Sequence, residues 1–390
     1  MYSVTSAFAY NASLTNAAWR KRFYIGSSDY TDYVNKWPTI KKQWDGLSPQ
    51  TVTIDLSNEG KTFNFLSVDP TLMQTTATLK LGFVYAVGSE EFITPFAGTM
   101  DTLRFQTGGC AITLIDKFRK LADRKIGDTT TPTLYTGSSY LIHDMAWYLC
   151  TSHGGLSAVA STSNPDIDYA SFGSWTSVFS ADNVRCAGKF TGQQPLELLK
   201  QLSTLTQSAI YVENDKLKFS RFLLTDSAIY TLNNNTTMDV SATMDDRELI
   251  NKAWVSANFN ITSDSFAITV YDISSTSVAN YGLREKLFAE QTIWLTDSVS
   301  AINLAQRQTG SYREIRNKYQ VNAPLHAVIS TIGDAITFVD PLLEVSDTFR
   351  IMEEELDLDS GSKRFGIDQT QYFGGFILDV TSLDGSEVLT

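Results

Sequence analysis

The 390-residue sequence is short of the residues that usually carry chemistry. It holds three cysteines and three histidines. Cys110, Cys150 and Cys186 are single, far apart and odd in number. They make neither a disulfide framework nor a zinc pattern, and reduced, buried thiols are expected. His143 and His153 flank one expected helix ten residues apart, off a common face, and His326 stands alone. Each is expected to be structural, because no paired-ligand spacing such as HExxH occurs. GxSxG, Walker and helix-opening GxGxxG motifs are missing too. No apolar run approaches the roughly 20 residues of a membrane helix. The opening "MYSVT" has no basic stretch leading into an apolar one, so neither a membrane anchor nor a signal peptide is expected. Basic residues are outnumbered, 31 against 43 acidic, for a net charge of −12. The basic clusters "WRKRF" at 19–23 and "DKFRKLADRK" at 116–125 interleave with apolar residues, as solvated faces of ordinary elements do. This excludes the broad basic patch of a sequence-reading nucleic-acid binder, and the negative surface repels polyanions.

What the sequence does have is globular composition, 43% hydrophobic and 19% charged, enough to rule out disorder. Its length suggests two to three domains, each able to bury its own core. From about Phe23 to Ile115 the text is strands and turns. "KRFYIGSSDYTDYV" reads as strand, turn, strand. "QTVTIDLSNEGKTFNFL" places Val52, Ile54 and Leu56 at period two, then Asn58-Glu59-Gly60, then Phe63 and Phe65, which predicts a hairpin. "ATLKLGFVYAV" alternates Leu79, Leu81, Phe83 and Tyr85. "FITPFAGTMDTLRFQTGGCAITLID" adds two strands, with Gly98 inside the first and a break at Gly108-Gly109. Strands at this spacing predict a barrel or sandwich.

The texture changes at Asp116, a candidate N-cap for a helix reaching Gly127. A second helix, opened by Ser138 or Ser139 and closed by Gly154, carries Leu141, Ile142, Met145, Ala146, Leu149 and Cys150 on one stripe. A third begins near Pro195 and buries Leu196, Leu199, Leu202 and Leu205. It runs into "AIYVENDKLKFSRF", a hairpin turning at Asn214-Asp215. "LNNNTTMDVSATMDD" reads as a linker or long loop. Its sequon-like "NNNTT" has no weight without secretion. Strands return in "NKAWVSANFN" and "SFAITVYDI". A helix in "DSVSAINLAQRQTGSYREIRNKY" places Ile302, Ala305, Thr309, Tyr312, Ile315 and Tyr319 on one face. "HAVISTIGDAITFVDP", "DTFRIMEEELDLD" and "YFGGFILDV" are strands again.

Two stretches look like sites. "MEEELDLDSGS" carries Glu353, Glu354, Glu355, Asp357 and Asp359. It fails as an EF-hand, since counting from Asp357 the sixth place is Ser362 and the twelfth Asp368. Strand alternation puts Glu353, Glu355, Asp357 and Asp359 on one face, with Ile351, Leu356 and Leu358 opposite only if the register shifts. A solvated strand face is the plain reading. "SVANYGLREKLF" at 277–288 holds Gly282 and Arg284 in mixed polarity, with no nucleophile, ligand set or phosphate loop around it. No catalytic residue, metal or cofactor is expected.

The order of elements, with the phrases "YIGSSDYTDYV", "FITPFAGTMDTL…AITLIDKFRKL", "TGQQPLELLKQLSTLTQSAIYVENDKLKFSRF" and "ELINKAWVSANF…YGLREK…SAINLAQRQTGSYR…IGDAITFVDP…FRIMEEELD", resembles the tail-hub proteins of tailed bacteriophages, the group that includes the baseplate hub of contractile tails. The resemblance covers nearly the whole chain and rests on element pattern, not on an invariant catalytic motif. It implies a mainly β protein with an α+β middle: a tube-like β-barrel at 1–115, an inserted α+β domain at 116–249, and a second barrel with an embedded helix at 250–390. It implies a homotrimer whose six barrels form a ring, joining a sixfold tail tube to a threefold tip and passing viral DNA. Partners would be tail-tube or distal tail proteins and tip, spike or central-fibre proteins. The protein would be made in host cytoplasm and reside in the virion tail. Gly282 would allow a tight bend, Leu283 or Leu287 would pack, and Arg284 would pair with a carboxylate at a domain junction or stand in water at a surface turn. Gly98 is an assembly candidate. Glu353, Glu355, Asp357 and Asp359 are candidates for lumen charge. A distal tail ring protein and a carbohydrate-binding receptor module remain as alternatives.

Overall fold

The structure, a computed structural model, describes residues 2–369 except 3, 15–17, 45–46, 65–72, 86–87, 136–139, 182, 207, 222–226, 234–236 and 238. The expected strand "YFGGFILDV", Ser138, Ser139, Phe65 and most of "NNNTT" lie outside the described residues. The fold is mainly β, with two curled half-barrel sheets and helical insertions.

The first sheet is built from β1 (Arg20–Ile25), β2 (Ser28–Asp29), β3 (Val34–Lys36), β5 (Thr51–Ser57), β6 (Thr76–Val84), β7 (Glu90–Gln106) and β8 (Gly109–Ile115). Its antiparallel order is β2-β1-β6-β7-β8-β5-β3. Period-two apolar residues fill its concave core, among them Val52, Ile54, Leu56, Leu79, Leu81, Ile112 and Leu114. The short α1 (Ser6–Ser13), capped by Thr5, sets Phe8 edge-on against Phe83, ring centroids 5.1 Å apart. The hairpin expected after β5 is not seen among the described residues: residues 62–64 are turn, and β5 pairs with β3 and β8. Phe63 is still buried, because its N–H donates to the Asn58 side chain and folds the loop back.

The intervening β4 (Thr39–Gln43) leaves this sheet and joins the second one. That sheet contains β13 (Thr231–Asn233), β14 (Asp239–Asp245), β19 (Arg316–Pro324), β20 (Ala335–Asp340), β21 (Val345–Asp357) and β22 (Ser362–Gln369), in the order β13-β20-β21-β22-β19-β14, with β4 on β21. Residues 232–246, read from the sequence as a linker or long loop, thus fall largely on two strands, β13 and β14. Their polar pattern suits edge positions, where β14 pairs only with β19 and β13 only with β20.

Between the sheets sits a helical and β layer. It holds α2 (Phe118–Ala122), α3 (Ile142–Tyr148, continued by a π turn to His153), α4 (Tyr169–Ala181) and α5 (Pro195–Thr206). Its strands are β9 (Thr133–Tyr135), β10 (Cys186–Phe190) and the β11–β12 hairpin (Ser208–Glu213, Lys216–Arg221). The hairpin turns at Asn214-Asp215, both left-handed at φ 51° and 59°, the conformation a two-residue turn between twisted strands demands. α2 is five residues long, shorter than its sequence pattern, and its N-cap is Lys117, not the expected Asp116, whose side chain one residue earlier accepts from the Phe118 N–H.

Elements at 252–312 join the same core. β15 (Lys252–Asn260), β16 (Ser265–Ile273) and β17 (Glu285–Phe288) form a three-stranded sheet, and α7 (Ser298–Tyr312) covers it. β18 (Ile293–Leu295) pairs with β10. The sequence division placed 252–312 in the second barrel; side-chain packing puts Val255, Ala257, Ile293 and Leu304 with Leu149, Trp175 and Leu199. α7 ends at Tyr312 and β19 starts at Arg316, so Ile315 and Tyr319 leave the expected helix face; the Asp297 cap orients Ala301, Leu304, Ala305 and Gln308 inward. The stretch 275–281 is the helix α6, capped by Ser274.

Two glycines permit close strand approach in the first sheet. A Cβ on Gly98 would stand 2.3 Å from the Ile115 carbonyl oxygen, and one on Gly82 2.0 Å from that of Glu91. Each meets backbone, so relief requires moving a strand. Gly98→Ala and Gly82→Ala are expected to lower stability by about 1–3 kcal/mol. Gly173→Ala, in open space within α4, is expected to raise it by about 0.5–1 kcal/mol. Denaturant midpoints of the three variants check this ordering, which fails if Gly98→Ala is neutral.

Candidate functional site at the junction of the sheets

The two half-barrels meet through β4 and β21. Lys42 pairs with Glu354, Lys41 with Glu355 and Gln43 with Glu353. A bulge between Ile351 and Glu353 resets the alternation of β21. Phe349 and Ile351 face inward before it; Glu354, Leu356 and Leu358 do so after it. The Met352 carbonyl, freed by the bulge, accepts from the Trp44 N–H at 2.7 Å.

The bulge therefore buries a carboxylate. Glu354 lies 4% exposed between Lys42 at 2% and Lys363 at 1%. Its oxygens are 2.8 Å from the Lys42 Nζ and 3.0 Å from the Lys363 Nζ. Lys42 also donates to the Tyr2 hydroxyl at 3.1 Å, and Thr331 donates to Glu354 at 3.3 Å. Lys363 donates to the carbonyls of Val328 and Ser330. Burial alone would raise the Glu354 carboxyl; Lys363 and Lys42 outweigh it and hold it down to about 2. Burial would lower Lys42, and Glu354 overrides this to hold it above the ordinary lysine value. Lys363, where burial prevails, falls below it. Three charges from three strands thus satisfy one another out of water, and removing one strands the others.

The residues singled out from sequence fall around this junction and beside it. Glu353 is exposed and folds over Gly366, whose Cβ position is 3.0 Å from the Glu353 Cβ. Glu355 pairs with Lys41 at 3.1 Å, so it is not without a basic partner. Asp357 accepts from Asp359 N, Ser360 N and the Ser360 hydroxyl. Asp359 lies in the turn after β21 and is exposed. Glu353, Glu355 and Asp357 do share the face turned away from the core. Gly98 sits at the first sheet's close approach, away from this junction.

Gly282 ends α6 at φ 75°. Asn251, fully buried, clamps it: its amide donates to the Gly282 carbonyl at 2.7 Å and accepts from the Arg284 N–H at 2.7 Å. Arg284 reaches Asp246 at 3.4 Å, just past β14. With 52% and 56% exposure that pair is worth little. Leu283 and Leu287 do not pack; they are 53% and 60% exposed. The stretch serves to turn the chain, and Asn251 is the residue that holds it.

A second buried carboxyl marks the passage from β8 into the middle layer. Asp116 accepts from the Phe118 N–H at 3.0 Å, and its other oxygen has no hydrogen-bond partner among the described residues. Burial pushes it up to about 7, against the pull of the Phe118 and Gln50 backbone bonds.

Groups that could do chemistry are dispersed. The three thiols are free and buried; burial pushes Cys110 to about 11 and Cys186 to about 12, and raises Cys150 further. His153 bonds the Tyr135 hydroxyl at 2.6 Å, and burial lowers it. His143 is lowered by burial, with Asp144 opposing. The His326 side chain lies outside the described residues. Among the described residues no group of three or more His, Cys, Asp or Glu could hold a metal ion, and no helix is long and apolar enough to cross a membrane.

These carboxyls set opposite pH dependences. Glu354 is depressed when folded, so its contribution is present above about 4.5 and is lost as pH falls towards 2. Asp116 is raised when folded, so its contribution is full below about 4 and is lost as pH rises through 7. Asp116→Asn is expected to match the parent near pH 4 and to exceed its stability at pH 8 by about 1–3 kcal/mol. Glu354→Gln is expected to cost about 3–5 kcal/mol at neutral pH, and Glu355→Gln less than about 1. Chemical unfolding at pH 4 and pH 8 reads all three; equal losses for Glu354→Gln and Glu355→Gln would contradict the assignment.

No family model matches the chain, and no curated relative matches it either. Solved structures do. It is similar to the tail protein from Neisseria meningitidis MC58, with a TM-score of 0.59 and 11% identity, over 92% of this chain and 98% of that one. The 43 kDa tail protein of prophage MuSo2 from Shewanella oneidensis superposes with a TM-score of 0.53 and 13% identity, covering 90% of this chain and 98% of that one. Prophage tail protein gp18 from Listeria monocytogenes EGD-e follows at 0.52 and 12%, over 90% and 94%. At these identities what is shared is the architecture, and it is shared end to end: the chain has the fold of phage tail proteins, as its sequence resemblance implied.

Proposed function

We propose that this chain is a structural protein of a phage-type tail, located in the virion, and that it acts as the hub between a sixfold tube and a threefold tip. The observation that carries the reading is the pair of curled sheets in one chain, fastened by β4–β21 pairing around a buried charge triad. A ring adaptor needs two similar units per chain at a fixed spacing. Three copies then present six units, and a heterologous contact that closes after three steps makes the ring. Similarity along nearly the full length of three tail proteins supports the same reading.

In this reading, residues up to 115 form one unit. The second is assembled from 231–245 and 316–369, while 116–221 and 250–312 form the middle. The partners are two further copies, tube or distal tail proteins on one side, and tip, spike or fibre proteins on the other. Viral DNA passes without being held. No catalysis, metal or cofactor belongs to this role. Glu353, Glu355, Asp357 and Asp359 line the passage. Lys41 neutralises Glu355 in that row, so its repulsion of phosphate comes chiefly from Glu353, Asp357 and Asp359.

Copy number per ring separates a hub from a distal ring protein. Cryo-electron microscopy of assembled tails is expected to count three chains in one ring; six would overturn the hub reading. Changing Glu353 and Asp359 together to Lys is expected to slow DNA release, more so at low salt, because such repulsion is screened beyond roughly 8 Å at physiological ionic strength. Unchanged release at every salt concentration would remove these acids from the passage.

A further inference from the structure

The outer face of the second sheet and the middle layer enclose a cleft of about 490 Å³, within the size range of ligand pockets. Its sheet wall carries both charge signs, paired among themselves. Arg316 contacts Glu248 and Asp368, each at 2.9 Å, and Lys318 contacts Glu248 at 2.7 Å. Glu353, on the same wall, is exposed, with the Gln43 amide 3.5 Å away.

The opposite wall is different. Lys200 on α5 and Lys286 on β17 are both exposed and line the cleft, and neither makes an ion pair among the described residues. Lys286 lies over the Phe288 ring at 5.1 Å. Phe288, Tyr312 and Trp44 add aromatic surface. Two exposed lysines without a carboxylate partner among the described residues thus face one cleft.

The third feature is backbone. Among the described residues β17 is the terminal strand of its sheet and pairs only with β15. Its Lys286 and Phe288 face the cleft, two residues apart, so one face of a strand presents a cation and then a ring. A free strand edge is a template for an added strand.

We propose that this cleft receives an extended, acidic-apolar peptide segment of a partner protein, added as a strand along β17. Alternate carboxylates on that segment meet Lys286 and Lys200, apolar side chains meet Phe288 and Tyr312, and main-chain groups bond the β17 edge. A nucleic acid fits worse. It has no amide ladder to offer an edge strand and no aliphatic side chains for Phe288 and Tyr312. The proposal goes beyond the hub role: the cleft borders the β4–β21 junction through Trp44 and Glu353, but the groups that hold the peptide are Lys200, Lys286, Phe288, Tyr312 and the β17 edge.

The test uses the full chain and a fluorescein-labelled octapeptide alternating Glu and Leu, read by fluorescence anisotropy. Saturable binding is expected, and the double variant Lys200→Glu/Lys286→Glu is expected to weaken it at least about tenfold. Both lysines are exposed, so circular dichroism should match the parent. The same peptide with alternate amides N-methylated is expected to lose binding, a readout that needs no protein variant. A Lys-Leu octapeptide and an octathymidylate serve as controls. The proposal is overturned if the acidic peptide fails to bind, if the double variant binds it as well as the parent, if N-methylation changes nothing, or if the oligonucleotide binds as tightly.

Discussion

The rest of the structure hangs on one strand crossing between sheets. β4 arises among the strands of the first sheet yet pairs with β21 of the second. Backbone bonds across that pair fix register to the residue, since a slip by one would turn Lys42 outward and bring Lys41 or Gln43 against Glu354. The triad adds a penalty for any such slip. A buried carboxylate with both lysines in place is satisfied; with either displaced it becomes an isolated charge in the core. Register between the half-barrels is therefore specified by charge as well as by apolar pattern. Leu356 and Leu358 extend the same link, belonging by sequence to the second sheet and by packing to the first core.

The middle layer is held differently. Its core draws on residues from Leu47 to Leu304, so chain order says little about which residues touch. Aromatic and aliphatic rows do the holding, with Trp175 stacked near Phe179, Phe172 and Phe219 and its indole N–H donating to the Ser208 hydroxyl. Because 252–312 returns to this core after the chain has already contributed β13 and β14 to the second sheet, both connections are pinned. That explains the clamp at Asn251: a buried amide bridging β15 and the end of α6 fixes where the chain leaves one unit for the other.

Much of this was legible in the residues, and the failures have causes. β1, β6, β8 and β15 follow period-two patterns because one face of each is buried. The turn at Asn214-Asp215 was readable because those residues tolerate left-handed backbone. α4 was not read. "YASFGSWTSVFSA" is rich in weak helix formers, and only Phe172, Trp175 and Phe179 at helical spacing signal it. β13 and β14 hid because edge strands can be polar. The buried triad hid behind alternation, although one clue was present: Ile351 is odd and Leu356 and Leu358 are even, so a single strand can bury all three only through a bulge. Following that shift would have placed Glu354 inside and sent the search for its lysines.

Gly282 illustrates how a stretch can look like a site without being one. Its mixed residues reflect three separate demands met within a few positions. α6 must stop, which a positive φ achieves most easily at glycine. The backbone must then reach Asn251 from both sides, which fixes the Gly282 carbonyl and the Arg284 N–H but asks nothing of the Arg284 side chain. Finally, β17 must begin at once, parallel to β15, with Glu285 against Lys252 at 2.8 Å. Lys252 in turn lies over the Trp254 ring at 4.4 Å and the Tyr271 ring at 5.2 Å. Those contacts hold the outer face of the three-stranded sheet, so the free edge of β17 is presented on a stiff support. An edge that is stiff before a partner arrives loses less entropy when one pairs with it, which makes the position of this turn, more than its side chains, the feature that matters.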